Sequence, residues 1–206
     1  MTLEKNDQRM LLMGLAIVIV SLTLAVMLGK PEVGDGGGGE TPPVPELTVG
    51  QASYTGVGTE NSDTEFTADI NLTNIVNVTV TLTWNDEPDV TDIMGRHENQ
   101  PDELGVTVAS PEGLSQTDSA SNTHAASGGA GSVAVSFGFN VTEKTAVRKV
   151  SREGQGNWVI SVHVGVCGDQ VPVIGPGIIR TEADTGNSFT LTVSYSYYIL
   201  KERGAG

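Results

Sequence analysis

Cysteine, aromatic residues and basic side chains are all scarce in this chain. Cys167 is the single cysteine among 206 residues, which rules out an intrachain disulfide. Lipid attachment to a thiol behind the hydrophobic stretch is excluded as well, because Gly29 and Lys30 stand there. Cys167 itself closes an apolar run, VGVCGDQ, and reads as a small core residue with an inert thiol. Lys and Arg number 11 against 25 Asp and Glu, giving a net charge of -14. So few cations exclude a nucleic-acid partner, whose binding rests on neutralising phosphates. The sequence also lacks HExxH, G-x-S-x-G and a GK[ST] phosphate loop. Its histidines, His97, His124 and His163, have no metal-ligand spacing, so neither a catalytic nor a metal site is expected. Disulfide or metal staples are not needed, since the soluble part is long enough to bury a core by itself.

One long hydrophobic run is present. Residues 10–29, MLLMGLAIVIVSLTLAVMLG, carry no charge, and only Ser21 and Thr23 are polar. At about 1.5 Å per residue a helix of this length spans roughly 30 Å, the hydrocarbon thickness of a bilayer. A cleaved signal peptide would have a shorter apolar region followed by small residues, whereas the exit here reads AVMLGK. A retained single-pass anchor is therefore expected. Residues 1–9 are assigned to the cytoplasm, with Lys5 and Arg9 on that side and Lys30 on the other. Residues 30–46 then form a stalk, flexible at Gly36–Gly39 and stiffer at Pro42, Pro43 and Pro45. Residues 47–206 are expected to be an extracytoplasmic domain, and essentially all the net negative charge lies beyond the membrane segment.

That domain alternates with period two. Phe66, Ala68, Ile70 and Leu72 share one face of a strand; Val76, Val78, Val80, Leu82 and Trp84 share another. Leu104, Val106 and Val108 form a shorter strand, followed by Val133–Val141 and Trp158–Val166. Phe189, Leu191, Val193, Tyr195, Tyr197 and Ile199 form the last. With strands expected at Leu47–Tyr54 and Val171–Ile179, the count is about eight. One wet face per strand implies an all-β fold, an antiparallel β-sandwich of jelly-roll type behind one N-terminal transmembrane helix. Glu143–Arg152 fits a single helical turn or a loop.

Three N-x-[ST] sequons begin at Asn71, Asn77 and Asn140, each on the polar phase of its strand. They are expected to be N-glycosylated in an exported domain. Asn85–Asp92, with Asn99, Asp102 and Glu103, gathers oxygen ligands that suit Ca²⁺. Without the spacing of a known calcium loop, it reads as a solvated acidic connection. Ser127–Ser132 reads as a flexible glycine turn, and Lys144, Arg148, Lys149 and Arg152 as a solvated basic cluster suited to an acidic partner or lipid headgroups.

The stretches VTVTLTWNDEPD, QPDELGVTVASPEG and GNWVISVHVG resemble the pre-peptidase C-terminal, or P-like, jelly-roll domains over roughly residues 65–200. The matching positions are Trp84, Asp102–Gly113 and Gly156–Val162. The resemblance implies an exported accessory module that binds or stabilises, here with no catalytic domain attached. The acidic, disulfide-free ectodomain is also similar in style to archaeal surface proteins. The expected function is binding or adhesion at the cell surface, toward a protein, a glycan or the surface layer. The alternatives are a subunit of a pilus-like filament and an accessory subunit of a membrane complex, with Gly14, Ser21 and Thr23 facing partner helices. Either alternative implies a homo-oligomer or a larger membrane assembly.

Overall fold

A computed structural model describes residues 43–88, 90–92, 95–97, 100–167, 170–175, 178–183 and 186–201. The anchor segment 10–29 and almost all of the stalk lie outside the described residues. Among the described residues, no helix is long and apolar enough to cross a membrane.

The chain forms β1 (Val44–Thr59), β2 (Ser62–Ile70), β3 (Ile75–Asn85), β4 (Val90–Asp92), β5 (Gly95–His97) and β6 (Glu103–Ala109). It continues with β7 (Ser115–Ser121), β8 (Ala130–Gly138), α1 (Glu143–Arg148) and β9 (Gly156–Val166). β10 (Gln170–Gly175), β11 (Ile178–Ala183) and β12 (Gly186–Lys201) complete it. Two four-stranded antiparallel sheets result, ordered β1-β12-β3-β8 and β2-β9-β6-β7, and the hairpins β4-β5 and β10-β11 stand apart. The expected β-sandwich is therefore present. Its core lies between the sheets and is made by the alternating residues named above, including Val78, Val80, Leu82, Trp158, Ile160 and Val162, all at 3% exposure or less.

Bulky core residues face glycines across the ladder. Trp84 pairs with Gly131, and a Cβ on Gly131 would sit 2.0 Å from the indole. Tyr195 pairs with Gly50 at the edge strand β1, where an added Cβ would come as near as 2.2 Å to the ring. Each aromatic ring thus lies over a residue that has no side chain to oppose it, and shields a backbone that would otherwise face solvent.

The sequence reading needs four adjustments. First, Val171–Ile179 is a hairpin of β10 and β11 and not one strand; Gly175-Pro176-Gly177 carries turn chemistry at its middle. Second, β3 bulges at Val76, since Ser196 pairs with Asn77 while Tyr197 pairs with Ile75. The extra residue puts Ile75, and not Val76, in the core. Third, a similar slip at Gly165 (Leu104 pairs with Val164, Glu103 with Val166) turns Val166 outward and Cys167 inward. Cys167 is 2% exposed, in keeping with the core reading. Fourth, β7, SQTDSAS, and the small hairpin β4-β5 were not expected at all.

The candidate turn in Glu143–Arg152 is α1. Thr142 caps it, accepting from Thr145 N while the Thr145 hydroxyl accepts from Thr142 N. Asn74, at φ 58, holds the far side of this connection: its N–H donates to Ser151 O and its Oδ1 accepts from Ser151 N, both at 2.8 Å.

The tyrosines give the fold an alkaline limit. Burial, then the neighbouring Tyr195, raises the Tyr54 phenol above its ordinary 10.0. Burial, then Tyr197, raises Tyr195 in the same way. The folded chain therefore keeps these protons at a pH where the unfolded chain releases them. Their contribution is complete below about pH 10 and is lost as the pH climbs through the folded values. Urea midpoints should stay level up to about pH 10 and fall above it. Combining Tyr54→Phe with Tyr195→Phe should make that fall shallower; an unchanged slope would assign it elsewhere.

Candidate functional site

The strand directions divide the loops between two ends. Val44 pairs with Lys201 at the end where the chain enters the domain, and Thr59 with Gly186 at the far end. The connection between β2 and β3, the turn Ser110–Leu114 and the segment holding α1 lie at the entry end. The acidic connection with β4-β5, residues 122–129 and the β10-β11 hairpin lie at the far end.

All three sequon asparagines fall toward the entry end and are exposed. Asn71 follows the last residue of β2 and accepts from Gln155 Nε2 at 2.9 Å. Asn77 sits at the start of β3 opposite Gly138, and accepts from Ser196 Oγ at 2.7 Å. Asn140 lies two residues past β8. Asn77-Val78-Thr79 is held in a central strand, so an oligosaccharide reaches Asn77 only before folding. Asn71 and Asn140 lie outside the strands. In a glycosylating host, intact mass should show full occupancy at these two and partial occupancy at Asn77. Full occupancy at Asn77 alone would contradict this.

The exposed basic residues Lys144, Arg148, Lys149 and Arg152 are also at the entry end. Arg148, Lys149 and Arg152 border an open recess of about 700 Å³, shared with Asn140, Glu112 and Glu153.

At the far end, Asp86 (6% exposed) and Asp102 (0%) are buried, contrary to the expectation of a solvated acidic loop. One carboxylate oxygen from each of Asp86, Glu87 and Asp102 lies within 4.8 Å of the others. Asn122 ties them together, with Nδ2 donating to Asp86 Oδ2 at 2.9 Å and Oδ1 accepting from Asp102 N at 2.7 Å. Asp89 and Asn99 lie outside the described residues. The glycine turn is packed and not loose: Asp86 N donates to Gly129 O, and Gly129 is buried beneath Thr123.

His163 Nδ1 lies 2.9 Å from Asp63 Oδ1 on the outer face of the second sheet, both side chains more than half exposed. That face carries an acidic column along β2, with Asp63, Glu65 and Asp69 pointing outward. Asp63 and His163 border a shallow recess of about 430 Å³ shared with Glu103, Asp118 and Ser161.

The outer face of the first sheet differs in kind. Reading across β1, β12, β3 and β8, one row is Thr55, Thr190, Thr83 and Ser132. The next is Ser53, Thr192, Thr81 and Ala134, and then Gln51, Ser194, Thr79 and Ser136. Val49, Ser196, Asn77 and Gly138 make the fourth. No charged residue occurs in these rows, although the chain carries -14. Thr79 and Ser136 share a hydroxyl hydrogen bond of 2.9 Å, and Val49 and Val57 stand about 70% exposed on β1. A shallow groove of about 480 Å³ runs over the first row. Sequence reading placed Thr79, Thr81 and Thr83 on a wet face but did not mark that face as a site.

Neither the comparison with protein families nor that with curated proteins yields a match. Among solved structures, the chain is similar to the structure of infectious bursal disease virus Gt strain, at 13% identity and a TM-score of 0.21. The similarity covers 84% of this chain, which spans about half (47%) of that one.

Proposed function

We propose that this chain is a membrane-anchored cell-surface β-sandwich for binding or adhesion, with the outer face of the first sheet as its contact surface. The observation that carries the reading is the uncharged, hydroxyl-bearing face on a strongly acidic chain. Hydroxyls that both donate and accept suit a glycan or a neutral protein surface. Anchoring through residues 10–29 is supported by their apolar length, with the N-terminus cytoplasmic and the domain outside the cell. The jelly-roll reading is supported by the strand order and by connections that cross from one sheet to the other at all but one step between the eight sandwich strands. The stretches that resemble P-like domains lie on β3, β6 and β9, strands of the core.

The test uses the full chain in detergent against arrayed glycans and purified surface-layer protein. Binding should be lost in Thr81→Glu/Thr192→Glu and kept in Ser119→Glu, which alters only the outer face of the second sheet. Binding that ignores the first pair would remove the contact surface from this face.

A further inference from the structure

The same face can be assigned an occupant. Building on that reading of the contact surface, we infer that it pairs with the same face of a second copy of this chain. Three observations carry the inference.

The first is charge. Two chains at -14 each repel, and the acidic column Asp63, Glu65 and Asp69 makes the second sheet the worst face to bring together. Contact through the first sheet places those carboxylates behind the opposite sheet of each domain. Stacked sheets lie about 10 Å apart, more than the roughly 8 Å over which physiological salt screens a charge. The neutral face is the approach on which like charges oppose association least.

The second is hydrogen bonding. A face of fixed donors or fixed acceptors cannot satisfy its own copy. Threonine and serine hydroxyls do both, so a hydroxyl lattice is complementary to itself under a two-fold axis. Gln51 adds an amide that also donates and accepts, and Val49 and Val57 supply exposed apolar area along the edge strand.

The third is size. Four strands at about 4.8 Å, over the seven residues Asn77–Thr83 at about 3.4 Å per residue, give roughly 460 Å² of flat sheet. Accessible surface exceeds the flat area of the same patch, which places this pairing at the small end of specific interfaces, where a standard one buries about 800 Å² per partner. Asn77 marks one end of the face, so a sugar there borders the rows that pair and leaves the other three open. The flexible stalk gives two anchored domains the freedom to turn these faces together.

The experiment is sedimentation of the full chain in detergent, made without glycosylation. Wild type and Ser119→Glu should form a dimer, tightened by added salt as the remaining repulsion is screened. Thr81→Glu/Thr192→Glu should weaken it by roughly tenfold or more, because unpaired charges are buried at the contact. Mixing that variant with Thr81→Lys/Thr192→Lys should restore a dimer containing one of each. This rescue excludes misfolding of either variant as the cause. A dimer that survives the glutamates would place the contact in the anchor and overturn the inference. A wild type that stays monomeric while the same face binds a glycan would overturn self-pairing and leave the binding surface standing.

Discussion

Replacing Trp158 with alanine should lower the stability of the domain by about 3–5 kcal/mol, the largest loss expected from any single substitution here. The indole is fully buried between the sheets, toward the entry end. Its ring meets Phe137 edge-on with centroids 5.0 Å apart, and Phe139 at 6.3 Å. Its Nε1 donates to Gly154 O at 2.9 Å. Gly154 itself sits at φ +77, and a Cβ there would come 2.8 Å from Phe139. The indole thus fills the core and also fastens the connection from α1 into β9. Truncation leaves a cavity and an orphaned carbonyl together. Domains of this size are stable by about 5–15 kcal/mol, so the loss consumes a large share of the total. Trp158→Phe keeps one ring in the core but drops the N–H and part of the indole volume, and should cost about 1–3 kcal/mol, less than the alanine. Urea unfolding followed by circular dichroism separates the two. Equal losses in both variants would mean that the hydrogen bond matters more than the packing.

The sandwich was legible in the sequence because one wet face per strand leaves a period-two record, as Val78, Val80 and Leu82 show against Thr79, Thr81 and Thr83. Where the record fails, a specific physical cause can be named. β7 is an edge strand whose inward positions include Asp118 and the half-buried Ala120, so SQTDSAS has no alternation to read. The slips at Val76 and Gly165 insert one residue each, which reverses the face of everything beyond them. The neutral face was half visible. Its threonines on β3 could be counted, but that Thr190 and Thr55 lie beside them depends on β12 entering between β1 and β3. No local pattern encodes that pairing. The burial of Asp86 and Asp102 was invisible for a similar reason: their partner, Asn122, comes from the connection that follows β7.

That asparagine is the pivot of the far end. Asn122 donates to the Asp86 carboxylate and accepts from Asp102 N, and its own N–H donates to Asp102 O at 3.2 Å. Asp86 N in turn donates to Gly129 O, so one side chain ties together the end of β3, the start of β6 and the entry to β8. Alanine at 122 should cost about 2–4 kcal/mol, since it removes a donor from a buried carboxylate and an acceptor from a buried N–H. Aspartate at 122 keeps the shape and can still accept from Asp102 N, but it adds a fourth carboxylate to the cluster of Asp86, Glu87 and Asp102. Like charges held this close disfavour the folded state whenever both are ionised. Asn122→Asp should therefore be at least as damaging as Asn122→Ala at neutral pH, and should recover toward wild type as the pH falls to about 4 and carboxylates take up protons. The alanine variant adds no charge and keeps only the Asp86 carboxylate without its donor, so it should recover less. Melting curves of the three proteins across that range decide the matter. Parallel pH profiles for both variants would show that Asn122 acts through shape alone, and that its bond to Asp86 contributes little.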